Sequence, residues 1–180
     1  MRRQGIIAAA FATTALTTAL MAQTARAEYT GPVTCRVLVD SFLEAEQELD
    51  RQAERELEEQ IKDEAAEWEK ELLAQLVAAE AEGEELLGKR YIIDVVMNRV
   101  EDPDFPDTIR GVIYQPGQFS CIDNGRFERA AWEVSESDFE AVRTGLKSRI
   151  NRQVLFFTAG NYGKYGTPAF KCGSHYFSKK

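Results

Sequence analysis

The chain has 180 residues and a formal net charge of −8 at pH 7, which allows one domain of ordinary size plus appendages. Residues 28–85 carry 19 acidic and 5 basic side chains, a net charge of −14, while residues 86–180 carry +3. Because no basic stripe stands out, we expect no nucleic-acid partner. One histidine and no Cys-x-x-Cys pair give a metal site little support, so we expect neither a metal nor an organic cofactor.

Residues 1–27 have the pattern of a secretory signal peptide. Arg2 and Arg3 give a positive start, residues 5–20 are apolar or small, and residues 25–27 (Ala-Arg-Ala) offer a cleavage site. The apolar stretch is short and rich in alanine and threonine, which disfavours a membrane span. The alternative is an uncleaved anchor. We therefore predict an exported protein, secreted or held in the cell wall or periplasm, with no stable membrane span after cleavage.

The chain has three cysteines, Cys35, Cys121 and Cys172, so at least one cannot pair within the chain. Export would place them in an oxidising compartment. Cys121 and Cys172 both lie in the C-terminal half, and a bridge between them would close a loop of about fifty residues, worth roughly 3–4 kcal/mol if unstrained. We predict a disulfide between Cys121 and Cys172, with Cys35 free.

Residues 28–72 form an acidic segment after the predicted signal peptide, and a long helix is predicted from Leu38 to about Leu76. The stretch is rich in Glu, Ala, Leu, Gln and Lys and, from residue 38 on, contains no Gly or Pro. Its apolar residues recur mostly at steps of four, so the stripe drifts around the helix and disfavours a two-stranded coiled coil. Two interpretations stay open: a solvated spacer or packing helix, and an arm that binds an unknown protein partner.

Residues 73–180 are predicted to form a mostly helical domain. Gly83 and Gly88 mark a turn before a second helix over about residues 89–100, which the following prolines end. Thr108 is the expected N-cap of a short helix over residues 109–114. Residues 115–125 are expected to be irregular, because Pro-Gly and Asp-Asn-Gly sequences favour turns.

The C-terminal part of this domain is predicted to add one helix and a little β-structure. Ser137 and Glu140 fit a capping box for a helix over residues 137–150. Residues 154–157 and 175–177 are strand candidates. They flank a loop rich in glycine and aromatic residues over residues 159–170.

Four short motifs follow one another along residues 73–180. They are Ala79-Glu80-Ala81-x-Gly83-Glu84, Val95-Val96-Met97-Asn98-Arg99-Val100, Gly111-Val112-Ile113-Tyr114-x-x-x-Gln118-Phe119-Ser120 and Gly173-Ser174-His175-Tyr176-Phe177. Together they resemble the SleB/CwlJ-type cell wall hydrolases, a family named for spore cortex-lytic enzymes. Family members often have Arg and Pro in the first motif, where this chain has Glu82 and Glu85. The leader and the acidic helix lie outside the resemblance.

The resemblance implies an α+β, mostly α, fold: a lysozyme-like catalytic domain, here preceded by a long acidic helix. It also implies cleavage of peptidoglycan between N-acetylmuramic acid and N-acetylglucosamine, by a lytic transglycosylase or a muramidase. Peptidoglycan would then be the polysaccharide substrate. Glu80 falls on the family's proposed catalytic glutamate, so the resemblance implies that Glu80 is the general acid/base.

The chemistry of glycosidic cleavage makes specific demands on Glu80. An acid must protonate the leaving oxygen, and an apolar setting such as the run from Leu76 to Ala79 favours the protonated acid. Standard hydrolases also need a second carboxylate, for which Glu84, Asp94 and Asp123 are equal candidates. Lytic transglycosylases resemble enzymes that need only one carboxylic acid, because a hydroxyl of the sugar itself attacks the anomeric carbon and leaves an anhydro end. The structural alternative for Glu80 is a solvated glutamate at a helix end.

Glu84, Tyr114, Gln118 and Phe119 are the candidate substrate-binding residues. Gln118 and Phe119 follow a turn, and loops commonly present ligand contacts. Ordinary core packing is the alternative for every aromatic side chain. The tyrosines considered for stacking on sugar rings are Tyr114, Tyr162 and Tyr165.

Two other classes of function stay open. The first is an exported cysteine peptidase acting on wall peptides, with Cys121 as nucleophile and His175 as base, although the predicted disulfide argues against it. The second is a non-catalytic wall-binding protein that uses the acidic helix as its interaction arm. As a structural residue, His175 would be a buried hydrogen-bonding group in a terminal strand.

Overall fold

The computed structural model describes residues 33–180, which fall into two units divided between Asp63 and Glu64. The predicted signal peptide lies outside the described residues, and so does the side chain of Cys35. Across the described range, no helix is both long enough and apolar enough to span a membrane.

Helix α1 (Val33–Glu80) is the long helix predicted from composition, and it extends beyond both predicted ends. In the first unit its side chains are largely exposed, including the apolar Phe42 and Leu49. Glu48 pairs with Arg51 at 2.7 Å and Arg55 at 3.0 Å on this surface. Exposed pairs of this kind add little stability, so intrinsic helix propensity dominates in this segment.

The second unit contains the hydrophobic core. The last turns of α1 contribute Leu73, Leu76 and Val77, which are fully buried in one cluster with side chains of helix α2 (Leu86–Glu101). Helix α6 (Glu136–Lys147) packs on α2 at close range. Gly145 permits this approach, because a Cβ at that position would lie 2.7 Å from Ile93 Cγ2.

The two glycines expected to form one turn have different roles. Gly83 forms the turn after α1, with a φ of +75° that favours glycine. The prediction is wrong for Gly88, which lies in the first turn of α2. A Cβ there would come within 3.1 Å of the Glu84 carboxylate, so Gly88 gives that carboxylate room.

Three short helices connect α2 and α6: α3 (Ile109–Ile113), α4 (Ser120–Asp123) and α5 (Arg126–Ala130). The predicted cap of α3 is confirmed, since the Thr108 hydroxyl accepts the Gly111 N–H at 3.1 Å. Helix α4 lies in the stretch expected to be irregular. Helices of four or five residues are too short to show a hydrophobic period.

The capping box of α6 is formed two residues earlier than predicted. Ser135 is the N-cap, and its N–H donates to Asp138 at 2.8 Å. Both serine positions fit the sequence pattern, but Asp138 is buried and pairs with Lys89 at 2.9 Å. Ser137 instead hydrogen-bonds Lys89 Nζ at 2.5 Å, which explains why it does not cap the helix.

The three strands form one antiparallel sheet in the order β1-β3-β2, with β1 (Val154–Ala159), β2 (Thr167–Cys172) and β3 (His175–Lys179). Both predicted strands are confirmed, as is the α+β, mostly helical class. Most of strand β2 falls in residues 159–170, which were expected to form a loop. Pro168 disfavours a strand, and the side chains of β2 are mostly exposed, so the sequence shows no alternating apolar pattern there. Proline is tolerated there because β2 is an edge strand.

Asp94 fixes the chain after α6 to α2. It is fully buried, and its Oδ2 accepts the N–H groups of Ile150 at 3.0 Å and Asn151 at 2.7 Å. These bonds also explain why α6 ends at Lys147 rather than at the predicted Ile150. Burial raises the pKa of this carboxyl, while the two backbone hydrogen bonds act in the opposite direction.

Asp94→Ala is expected to lower the free energy of unfolding by about 2–4 kcal/mol, because two partly buried N–H groups lose their acceptor. Asp94→Asn retains one acceptor oxygen and should lose less. Urea unfolding of the two variants beside the wild type measures the difference. Equal stability of the alanine variant and the wild type would contradict this assignment.

Candidate active site

A cleft of about 340 Å³ opens where the end of α1 meets α4 and the sheet. Its lining combines acidic, basic and neutral polar groups: Glu80, Glu82, Cys121, Asn124, Arg126 and His175. A larger depression of about 580 Å³ lies elsewhere, beside Asp102 and Lys180. Those two side chains pair with each other at 2.8 Å, so their charges are already satisfied.

Glu80 is the last residue of α1 and borders the cleft, half-buried. The flanking residues Ala79 and Ala81 are buried, whereas the Glu80 side chain borders the cleft. The Cys121 N–H at the start of α4 approaches Glu80 Oε1 at 3.4 Å, and the Cys121 thiol also hydrogen-bonds this carboxylate. These contacts fix the carboxylate in the cleft.

The predicted disulfide is not formed, because Cys121 and Cys172 are both free thiols in the structure. Cys121 lies in α4 and is buried against Glu80, whereas Cys172 is the last residue of strand β2. Burial, followed by the neighbouring Glu80 carboxylate, raises the pKa of the Cys121 thiol far above its usual range. A nucleophilic cysteine needs the reverse shift, so this environment disfavours a cysteine peptidase.

Glu84 is held by the turn between β2 and β3. The Ser174 N–H donates to Glu84 Oε1 at 2.8 Å, and the Ser174 hydroxyl donates to the same oxygen. These bonds lower the pKa of Glu84, against a smaller opposing effect of burial, and keep the carboxylate ionised. Because α1 ends at Glu80, Glu84 does not share a helical face with it.

Gly173 makes the position of Glu84 possible. It has a φ of +57° and is the first central residue of a two-residue hairpin turn, where a type II′ geometry favours glycine. A Cβ at position 173 would overlap the Glu84 carboxylate. The Gly173-Ser174 dipeptide therefore forms a carboxylate cradle as well as a turn.

His175 begins the central strand β3 and borders the cleft. Its ring is buried and meets Phe157 edge-on at a centroid distance of 5.3 Å. Its Nδ1 lies 3.8 Å from Glu84 Oε1 and has no hydrogen-bond partner among the described residues. The interpretation of His175 as a satisfied structural residue does not account for this contact.

The candidate substrate-binding residues are dispersed. Phe119 is 2% exposed and lies under the Arg99 guanidinium at 5.2 Å, an environment typical of core packing, the alternative considered for its ring. Tyr114 is 43% exposed and packs edge-on against Phe127 at 5.8 Å. Gln118 is half-buried in the turn before α4. Neither Tyr114 nor Gln118 is among the described residues that line the cleft.

Sequence reasoning missed the polar rim of the cleft. Arg126 donates to Glu82 across the rim, and Asn124 accepts the Arg126 N–H at 2.9 Å. The Asp123-Asn124-Gly125 turn was visible in the sequence, but nothing linked it to Glu82, more than forty positions away.

None of the three candidates for a second catalytic carboxylate lines the cleft. Asp94 is fully buried, Glu84 is bonded to Ser174, and Asp123 is exposed on α4. Glu82 borders the cleft but pairs with Arg126. Within residues 33–180, Glu80 is thus the cleft carboxylate without a basic side chain or a capping serine as partner.

A family model described as Cell Wall Hydrolase matches residues 83–178. The spore cortex-lytic enzyme of Bacillus subtilis is 32% identical over 112 residues, covering 59% of this chain and 36% of that enzyme. The spore cortex-lytic enzyme of Halalkalibacterium halodurans is 39% identical over 56 residues, covering 31% of this chain and 17% of that enzyme. The chain spans 36% or less of the length of these two curated relatives.

Two solved structures share the fold. The catalytic domain of the germination-specific lytic transglycosylase SleB from Bacillus anthracis has a TM-score of 0.54 and 25% identity. The match covers 62% of this chain and 93% of that domain. The catalytic domain of Bacillus cereus SleB has a TM-score of 0.54 and 26% identity, and the match covers 62% of this chain and 89% of that domain.

Proposed function

This chain belongs to the cell wall hydrolase family, and on that basis we propose that it cleaves peptidoglycan glycan strands between N-acetylmuramic acid and N-acetylglucosamine. The observation that supports this proposal most directly is the position of Glu80, which borders the cleft and has no basic side chain as partner among the described residues. Glu80 lies just before the range that the family model matches, so its assignment as the acid rests on cleft geometry and on its motif. The match to most of a lytic transglycosylase domain supports the same chemistry.

We propose a lytic transglycosylase rather than a hydrolase. Inverting and retaining hydrolases need a second carboxylate beside the scissile bond. Glu84 and Asp94 are engaged by other groups, and Asp123 faces solvent away from the cleft lining. In a single-glutamate reaction, Glu80 protonates the leaving oxygen as the bond from that oxygen to the anomeric carbon breaks. A hydroxyl of the same sugar then attacks that carbon and gives its proton to the Glu80 carboxylate, which restores the acid. Asn124 on the rim of the cleft offers hydrogen bonds to the glycan, whereas Glu82 and Arg126 are paired with each other.

Mass spectrometry of purified peptidoglycan digested by the protein tests this proposal. Muropeptides one water lighter than hydrolysis products are the expected result, and heat-inactivated protein is the control. Reducing-end muropeptides would show a hydrolase instead. Cut stem peptides would favour the peptidase, and cosedimentation with peptidoglycan without any product would favour a wall-binding protein.

The peptidase alternative makes a separate prediction for Cys121. Serine can still donate to Glu80, so Cys121→Ser should lower the rate of glycan cleavage less than about 10-fold, a smaller loss than removal of a general acid. Cys121→Ala removes the side-chain donor and should lower kcat more than Cys121→Ser, with KM nearly unchanged. Release of labelled muropeptides measures both. Complete loss of activity in Cys121→Ser would instead support a nucleophilic cysteine.

We also propose that the protein acts outside the cytoplasm, where peptidoglycan lies, in agreement with the leader pattern of residues 1–27. The exposed part of α1 before Glu64 is proposed as an interaction arm for a protein partner. Its acidic residues greatly outnumber its basic ones, which favours a partner with a basic surface. Cross-linking of the exported protein in intact cells, with and without residues 36–63, tests both statements.

A further inference from the structure

We infer that the solvent-facing side of the β-sheet is a second binding surface for peptidoglycan, on which tyrosine rings stack on sugars and lysines bind carboxylates. We call it the tyrosine surface, and it consists of Tyr162, Lys164, Tyr165, Lys171 and Tyr176. The inference rests on the proposed function, because its ligand is the polymer that the cleft is proposed to cleave. It concerns how the rest of a long strand is held, beyond the reacting sugars.

The sheet has one side in the core and one side towards solvent. Phe177 on the central strand is fully buried, and its two register partners, which are also phenylalanines, pack against the core. The next row across the sheet consists of Thr158, Tyr176 and Lys171. Because side chains alternate along a strand and paired residues share a face, this row points away from the core.

The connection from β1 to β2 runs along the central strand. The strand order is β1-β3-β2, so this connection has to pass β3. Strand β1 ends opposite His175, and β2 begins opposite Lys179 at the other end of β3. Residues 160–166 therefore span the length of β3, about 13 Å.

Close contacts hold this connection against the solvent-facing side. Thr158 Oγ1 donates to the Asn161 carbonyl oxygen at 2.5 Å, and a Cβ at Gly163 would lie 2.7 Å from Thr158 Cγ2. At the far end, a Cβ at Gly166 would overlap the carbonyl oxygen of Lys179. The glycines let the backbone lie directly on the sheet, and the larger side chains of the connection are left exposed.

The tyrosine rings of the connection are exposed and supported by rings of the sheet. Tyr165 is 60% exposed and stacks on Phe156 of β1, with the ring centroids 6.0 Å and the planes 28° apart. Tyr162 is 38% exposed and meets Tyr176 edge-on at a centroid distance of 5.0 Å. A supported tyrosine presents a fixed apolar face with a hydroxyl at its edge, which suits the apolar face and the hydroxyl groups of a sugar ring.

The tyrosine surface lies in a positively charged part of the chain. Residues 151–180 contain five basic side chains and no acidic one, in a chain with a net charge of −8. Lys164 and Lys171 lie over two of the rings, with Nζ 4.8 and 5.1 Å from the ring centroids. Lys180 pairs with Asp102, whereas Lys164 and Lys171 have no carboxylate partner within residues 33–180. The stem peptides of peptidoglycan carry free carboxylates, so the charges of strand and surface are complementary.

The tyrosine surface begins beside the cleft. Ala159 lines the cleft and Tyr162 follows three residues later, so their Cα atoms are at most about 11 Å apart. Between them, the Gly160 N–H donates to the Ser174 carbonyl oxygen at 3.3 Å and ties the connection to the hairpin turn. A cleft of about 340 Å³ is at the small end of pockets that enclose one small ligand, so a polysaccharide must extend out of it.

The first test measures binding of the full chain to insoluble peptidoglycan from which phosphate polymers have been stripped. All proteins carry Glu80→Gln, which prevents cleavage during cosedimentation. Tyr165→Ala should raise the Kd roughly 3–10-fold, because it removes the most exposed ring, whereas Tyr165→Phe keeps the ring and should stay within about 2-fold of the parent. Trp132→Ala is the matched control, since Trp132 is 92% exposed but lies outside the tyrosine surface.

A second test separates the lysines from the rings. Lys164→Gln combined with Lys171→Gln should raise the Kd for peptidoglycan roughly 3–20-fold at low ionic strength and weaken its dependence on salt. Chitohexaose has N-acetylated sugar rings but no carboxylate, so its Kd should be unchanged in this double variant and raised in Tyr165→Ala. Lys147→Gln, which changes an exposed lysine of α6, is the control. Urea unfolding shows whether each variant is folded.

The outcomes distinguish this inference from the proposed function. Unchanged Kd values in both Tyr165→Ala and the double lysine variant would overturn the inference, and release of glycan products by the wild type would leave the proposed function standing. Binding that requires the phosphate polymers of the wall would also overturn it. A wild type that binds peptidoglycan through Tyr165 but releases no glycan product would overturn the proposed function and leave the tyrosine surface in a wall-binding protein.

Discussion

Glu80→Gln is expected to lower kcat for glycan cleavage by about 10²–10⁴-fold, the range that a positioned general acid contributes. The amide cannot give a proton to the leaving oxygen. It keeps an oxygen that accepts the Cys121 N–H, now 3.4 Å from the carboxylate, so the cleft should retain its shape. Release of soluble muropeptides from peptidoglycan measures the rate, and thermal unfolding shows that the variant is folded.

Glu82→Gln is the matched control for this experiment. It removes a carboxylate from the same cleft two residues away, but Glu82 pairs with Arg126 at an exposed rim. An exposed pair contributes about 1 kcal/mol at most, so a change of less than about 10-fold is expected. Comparable rates in Glu80→Gln and the wild type would rule out Glu80 as the acid.

Gly173→Ala should have the second large effect, on the free energy of unfolding. Alanine at a φ of +57° is strained by about 1 kcal/mol, and its Cβ would overlap the Glu84 carboxylate. Displacing that carboxylate breaks two hydrogen bonds from Ser174. We expect a total loss of about 2–4 kcal/mol in the free energy of unfolding, because overpacking adds about 1–3 kcal/mol.

Gly117→Ala separates the two causes. Gly117 has a φ of +72°, but a Cβ there would meet nothing within 4 Å. This variant should lose only the backbone strain of about 1 kcal/mol. Urea unfolding gives both values, and their difference isolates the cost of moving Glu84. Equal losses would mean that the carboxylate cradle contributes nothing.

The sequence predicted the parts of the fold whose signals are local. The helix propensity of α1, the Thr108 cap and the apolar strands at residues 154–157 and 175–177 all act within a few positions. Strand β2 gave no such signal, since it depends on pairing with β3 at an edge. The capping box of α6 was displaced because burial of Asp138 with Lys89, a contact distant in sequence, selects Ser135 over Ser137.

The site was predictable only through its motifs. The first motif singled out Glu80, which borders the cleft, but the position of Glu84 depends on Ser174, which lies ninety positions later. Phe119 was assigned to substrate because it follows a turn, whereas its ring lies under Arg99 in the core. Cys121 and Cys172 are both free, and Cys121 instead lies against Glu80, a contact that no spacing rule describes.

The division of α1 into an exposed part and a buried end constrains how its length can change during evolution. Insertions before residue 64 lengthen an exposed helix and leave the packing of Leu73, Leu76 and Val77 untouched. A single-residue deletion between Leu73 and Glu80 would instead rotate everything on one side of it by about 100° relative to the other. Either the core residues or Glu80 would then face the wrong way. Related chains should therefore vary freely in the length of the upstream segment and keep the spacing from Leu73 to Glu80 invariant.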